Sequence, residues 1–247
     1  MLYWGSRSVA SRRSAACTRR PALAGAAPLA VTEQSMVKQE RAARTRETLI
    51  RSAAETFDRD GFSVASLTAI SSLAGVSNGA LHFHFPSKAA LANAVEEAAL
   101  SRLVALTGDA EDDAPVPGAG RVQLLVDVTH GLARALRADP VLRAGFSLSG
   151  ELSRQRPGDL RERWRRWVEE TLRRAEAEGE LRPEAAAGDV VTAVVAATVG
   201  FEVLAVRDGV WLSAATVTRF WRLLLPTLVP AARLAGYEAA GTARGPV

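Results

Sequence analysis

Cysteine is almost missing from this chain: Cys17 is the only one in 247 residues. That excludes an internal disulfide and a cysteine-built zinc cage, and it fits a reducing, cytoplasmic compartment. Lysine is nearly as scarce, since Lys38 and Lys88 are the only two among 31 basic residues, which with abundant alanine is the composition of a GC-rich gene. No apolar run reaches the ~20 residues of a membrane span, because the most apolar stretch, Val190 to Gly200, is short and is followed by Glu202 and Arg207. No period-2 alternation and no internal repeat occurs, so a sheet or a solenoid is not expected. Outside the first 35 residues there is also no excess of positive charge. Residues 1–35 carry five arginines against Glu33 alone, and this surplus equals the +4 of the whole chain. The pI of about 9.9 is therefore no argument for nucleic-acid binding, and any basic surface must be local.

A hydrophobic content of 48% and a charged content of 23% are those of a globular protein, and the length allows two unequal domains. The informative stretch is Ser66 to Lys88, SLTAISSLAGVSNGALHFHFPSK. Leu67, Ile70, Leu73 and Ala74 recur at helical spacing behind an N-cap candidate, Ser66. Gly75 offers a C-cap, Val76 an apolar plug, and Ser77 a second N-cap. The next helix opens on Asn78, Gly79 and Ala80, and Leu81 and Phe85, four apart, anchor it. Two short helices about a glycine turn form a helix-turn-helix pattern. Ahead of it, Arg41 to Asp60 is amphipathic, with Arg44, Arg46 and Arg51 on its polar face. Behind it, Pro86 breaks the chain and Ser87 caps a helix from Lys88 to about Leu106.

Further on, a loop is expected at Thr107–Gly120, and helices at Arg121–Arg137, near Val141–Phe146, at Leu160–Glu178, at Asp189 to about Val206 and at Ser213 to about Ala232. A polar connection is expected at Ser153–Gly158. The helix from Asp189 is apolar nearly all round, so it should be buried, with the last helix, in a dimer bundle as well as a core. Residues 1–35 show no sustained apolar face and are expected to be a disordered extension or an over-long start assignment, with Met36 as the natural beginning. The expected division is 36–87 for the helix-turn-helix domain, 88–236 for a ligand-binding and dimerisation domain, and 237–247 for a disordered tail.

The long helix ending in FDRDGF, followed by GALHFHFPSK, resembles the TetR family of transcriptional repressors, whose motif closes with an aromatic, a His and a Phe, then a short turn and a Lys. MVKQERAARTR, FDRDGF and GALHFHF together are similar to its γ-butyrolactone receptor group. The resemblance implies an all-α protein: an N-terminal three-helix helix-turn-helix domain plus a larger C-terminal helical domain that binds ligand and dimerises. It also implies a homodimeric repressor that binds a palindromic operator and is released by a small lipophilic signal such as a γ-butyrolactone, with no catalysis and no cofactor. Candidate DNA contacts are Arg44, Thr68, Ser77, Asn78, Gly79, Ala80, His82 and Lys88; serine and asparagine can bond phosphate or base edges, and small residues permit close approach. His82 stands where the family usually has Tyr. Candidate ligand contacts are the apolar Val126, Phe146 and Val199 with Trp164, which aligns with a pocket tryptophan of the receptor group, and Thr198, where the group can place a polar contact.

Competing readings are weaker. His82 and His84, two apart, do not share a helix face as a metal pair would, and no metal is expected. Asp127 and His130 are three apart but lack nucleophile-elbow text, so a triad is not expected. A pseudo-receptor answering an antibiotic or intermediate, and more remotely a small helical enzyme or lipid-binding protein, are the alternatives.

Overall fold

The computed structural model describes residues 29–108, 120–150 and 160–242, with side chains from residue 35 onward. The chain falls into two units, residues 1–42 and 43–247. Of the first, residues from 29 onward are helical, and the side chains of 35–41 are exposed.

Nine α-helices account for the fold among the described residues: α1 (Leu29–Asp60), α2 (Leu67–Leu73), α3 (Asn78–His84), α4 (Lys88–Thr107), α5 (Arg121–Ala138), α6 (Pro140–Ser149), α7 (Leu160–Ala177), α8 (Ala187–Ala205) and α9 (Ala214–Leu228), with 3-10 turns at Gly209–Leu212 and Ala231–Gly236. The helix expected from about Arg41 begins at Leu29, because nothing between Leu29 and Asp60 is proline or glycine. The expected connection at Ser153–Gly158, most of the loop before Gly120, residues 1–28 and residues 243–247 lie outside the described residues.

Local chemistry sets the helix ends. Ser66, Ser77 and Ser87 each accept a hydrogen bond from the backbone N–H three residues on, at 3.1 Å, and so cap α2, α3 and α4. Gly61 (φ 78°) and Gly75 (φ 67°) leave α1 and α2 in the left-handed region, which a side chain would disfavour. α5 has no cap of its own. Glu180, from the turn after α7, reaches back 59 residues to accept from Arg121 N at 2.6 Å and, with its other oxygen, from Val122 N at 3.0 Å.

α4 packs closely on α6, where a Cβ added at Gly145 would collide with the Cβ of Ala99. α5 is the core helix, with most of its residues buried, and α7 lies along it.

α8, expected to be buried in a dimer bundle as well as a core, has Val190, Val194 and Thr198 buried within one chain. By length and composition alone this helix would pass as a membrane span, but its 17% buried share leaves a face for another partner. The tail expected to be disordered from residue 237 is held on α5 as far as Thr242. Gln123 brackets the Glu238 backbone, accepting its N–H at 2.8 Å and donating to its carbonyl at 3.2 Å. Asp127 accepts from both the N–H and the hydroxyl of Thr242 at 2.7 Å, and His130 Nε2 bonds the Ala239 carbonyl at 3.0 Å. Asp127 and His130 thus hold the tail and form no triad. The adjoining Tyr237 hydroxyl donates to Glu180, and burial with that carboxylate pushes its pKa up to about 12.

Candidate nucleic-acid interface and ligand-binding core

α3 is seven residues long and is fixed by one face. Leu81 and Phe85 are buried, at 0% and 3% exposure, beside Ile70 of α2 in a continuous core. Asn78 joins the two short helices, since Ser71 Oγ donates to its Oδ1 at 2.6 Å. Asn78, Gly79, His82 and Phe83 are exposed; Ala80 is half-buried, and Thr68 and Ser77 are exposed as well. Ser77 Oγ accepts the Ala80 N–H as a cap, which leaves its hydroxyl proton free to donate. Arg44 is exposed on α1, and the Arg46 guanidinium lies 5.2 Å from the centre of the Phe85 ring. His84 is half-buried and meets Phe83 edge-on at 5.2 Å. The two histidines therefore have different surroundings, and among the described residues no cluster of metal ligands is present.

Lys88 is the site residue the structure reassigns. Its ammonium donates to the carbonyls of Phe62 (2.8 Å), Ser63 (3.1 Å) and Ala65 (3.0 Å) and lies 4.7 Å from the Phe62 ring centre. An ammonium has three N–H donors, and all three are used on the turn between α1 and α2. Lys88 is a clasp for the turn, and the phosphate contact expected of it has no donor left.

Phe83 is what sequence reasoning missed. It is 82% exposed, the aromatic residue most open to solvent on this surface. The signal was present: with Leu81 and Phe85 facing inward, the residue midway between them is two positions from each, turned about 160° away, and cannot join the core.

In the larger domain, Trp164 and Thr198 meet. The fully buried Trp164 donates from Nε1 to Thr198 Oγ1 at 2.8 Å, and that hydroxyl in turn bonds Val194 O at 2.9 Å. Trp167 stacks on Trp164, centroids 5.3 Å apart, and donates to the Thr107 carbonyl at 3.0 Å, which ties α7 to the end of α4. Val126 and Phe146 are buried in the same core and Val199 is half-buried. Nearby, Arg161 of α7 pairs with Glu202 of α8 at 2.8 Å; burial raises the Glu202 carboxyl above its usual range, with Arg161 pulling the other way. Exposed apolar side chains, Val203, Leu204, Val206, Val210, Trp211 and Leu223, cover α8, the following turn and α9. Phe201 joins the three, stacked at 6.4 Å on Trp211 and edge-on at 5.8 Å to Phe220.

Residues 49–95, which hold this helix-turn-helix, match the family described as bacterial regulatory proteins, tetR family. The A-factor receptor protein of Streptomyces griseus is 32% identical over 200 residues, covering 78% of this chain and 67% of that one. The chain belongs to the TetR family. Among solved TetR relatives, a γ-butyrolactone receptor (ArpA-like protein) superposes with a TM-score of 0.70 at 30% identity, over 81% of this chain and 96% of that one. The TetR protein CprB of Streptomyces coelicolor, solved with its biological operator sequence, gives 0.67 at 30% identity, over 80% and 94%.

Proposed function

We propose that this TetR-family protein is a homodimeric, ligand-responsive repressor: α3 binds a palindromic operator, and the C-terminal domain holds a small lipophilic signal of the γ-butyrolactone kind. The carrying observation is the exposed α3 face of Asn78, Gly79, His82 and Phe83 on a capped, rigidly anchored helix. The exposed apolar surface of α8 and α9 fits a second copy, as buried halves of a four-helix bundle would. In that dimer the two α3 helices meet successive major grooves, ~34 Å apart or a multiple of it, at an operator in the cytoplasm. Arg44, Thr68, Ser77, Asn78, Gly79, Ala80 and His82 are the proposed DNA contacts; Lys88 supports them from behind. Val126, Phe146, Trp164, Thr198 and Val199 are the proposed ligand contacts.

The test is a gel-shift against duplexes from the gene's own upstream region, followed by titration of a γ-butyrolactone panel into the complex. No sequence-specific shift at any salt concentration sinks the repressor reading. A stable complex that every lactone leaves intact favours a pseudo-receptor answering another small molecule. The Trp164–Thr198 bond gives that second reading its weight, because the polar groups foreseen for a lactone already satisfy one another.

Gly79 supplies a separate check. A Cβ placed there would meet only Ser77 Oγ, at 3.8 Å, so the free protein has no packing need for glycine. Gly79→Ala is expected to raise folding stability by about 0.5–1 kcal/mol in denaturant titration. Operator affinity is expected to fall about tenfold, a 1.4 kcal/mol loss, because close approach is what the missing side chain provides. Equal or tighter operator binding would remove Gly79 from the interface.

Signal transmission has a visible link. Arg143 of α6 pairs with Asp58 of α1 at 2.9 Å and donates to the Leu136 and Arg137 carbonyls at 2.9 and 3.0 Å, so one guanidinium joins the DNA-binding helices to the end of α5. Arg143→Ala is expected to leave ligand-free operator affinity within about threefold while lowering the coupling between ligand and operator by about 0.5–2 kcal/mol. Operator titrations with and without ligand measure both; unchanged coupling would show that the signal travels elsewhere.

A further inference from the structure

Building on the operator-binding reading, we propose that Phe83 reads the 5-methyl group of a thymine in the major groove, and so sets part of the operator's sequence preference. Phe83 is 82% exposed on α3, beside the exposed His82 and one helical turn after Gly79. A phenyl ring has no donor or acceptor for a phosphate or a base edge. The one major-groove feature its chemistry matches is the thymine methyl, the apolar group that distinguishes T·A from the other pairs.

Three neighbours prepare the ring for this contact. Gly79 lies one helical turn earlier and Ala80 three residues earlier, so the flank of Phe83 toward the start of α3 carries nothing larger than a methyl group. His84 meets the ring edge-on, at 5.2 Å and 82° between planes, and is itself half-buried, which limits the ring's freedom before DNA arrives. Asn78 and His82 can hydrogen-bond but cannot tell a methyl from a hydrogen at C5. Phe83 supplies the apolar readout that they lack.

The experiment starts from duplexes selected out of a random pool by the full-length wild-type protein. Each thymine of the selected half-site is then replaced in turn by deoxyuridine, which removes the methyl and keeps every base-edge hydrogen bond. Wild type is expected to lose about fourfold in affinity at one position per half-site, the factor that desolvating one methylene-sized group confers. Phe83→Ala should bind the thymine and uracil duplexes equally, at the level of wild type on uracil, and Phe83→Leu should retain part of the discrimination. Because Phe83 is exposed, the substitutions should leave the thermal unfolding of the protein unchanged. If no uracil substitution weakens wild type, or if Phe83→Ala is weakened to the same extent, the methyl readout is overturned while operator binding stands. Failure to select any duplex overturns both.

Discussion

Lys88→Met is expected to destabilise the protein by about 3 kcal/mol, since hydrogen bonds from a charged donor contribute roughly 1.5–3 kcal/mol each and part of the loss is recovered by water reaching the freed carbonyls. The substitution leaves the carbonyls of Phe62, Ser63 and Ala65 without their shared ammonium, and methionine keeps much of the packing of the lysine stem against the turn. Operator affinity should fall too, because α2 is entered through this turn. Its dependence on salt should nevertheless stay that of wild type, whereas removing a lysine bound to phosphate lowers the salt slope by about one. Urea titration and operator titrations at three salt concentrations separate the cases. An unchanged stability with a slope lowered by one would return Lys88 to the phosphate backbone.

The difference between the expected and observed roles of Lys88 marks where sequence reading stops. Ser66, Ser77 and Ser87 were legible as caps because a cap and its amide are three residues apart, a relation the sequence displays directly. Leu81 and Phe85 were legible for the same reason. The partners of Lys88 are 23 to 26 residues away, and Glu180 caps a helix 59 residues before it, so only the folded chain shows what these groups do. Distance also hid the bond between Trp164 and Thr198, although the two were singled out separately. α8 exposes a different limit. An apolar surface states that water must be excluded, but the same residues can be covered by their own chain or by a second copy. The tail was misread because Tyr237 to Thr242 lacks the periodicity of an element; its anchors are single hydrogen bonds to Gln123, Asp127 and His130, which leave no pattern in the tail itself.

Trp164→Ala is expected to cost about 3–5 kcal/mol, the range for removing a fully buried large aromatic, and to abolish the response to ligand. Loss of response by itself would then say little, because Trp167 loses its stacking partner and the contact between α7 and α8 loosens with it. Trp164→Phe makes the distinction. It keeps a ring against Trp167 but removes the N–H and part of the fused ring system, and Thr198 retains its bond to the Val194 carbonyl, so the stability cost should be smaller than that of alanine, about 2 kcal/mol. Thr198→Val should act in the opposite sense, since it leaves the buried indole N–H without an acceptor at a cost of about 1–3 kcal/mol. A ligand that brings a carbonyl to Trp164 restores that bond, so Thr198→Val is expected to be less stable when free and to release its operator at lower lactone concentration. Thermal unfolding with and without lactone, together with release titrations, tests the pair. If Trp164→Phe and Thr198→Val both respond to lactone as wild type does, these two residues hold α7 to α8 and the signal binds elsewhere.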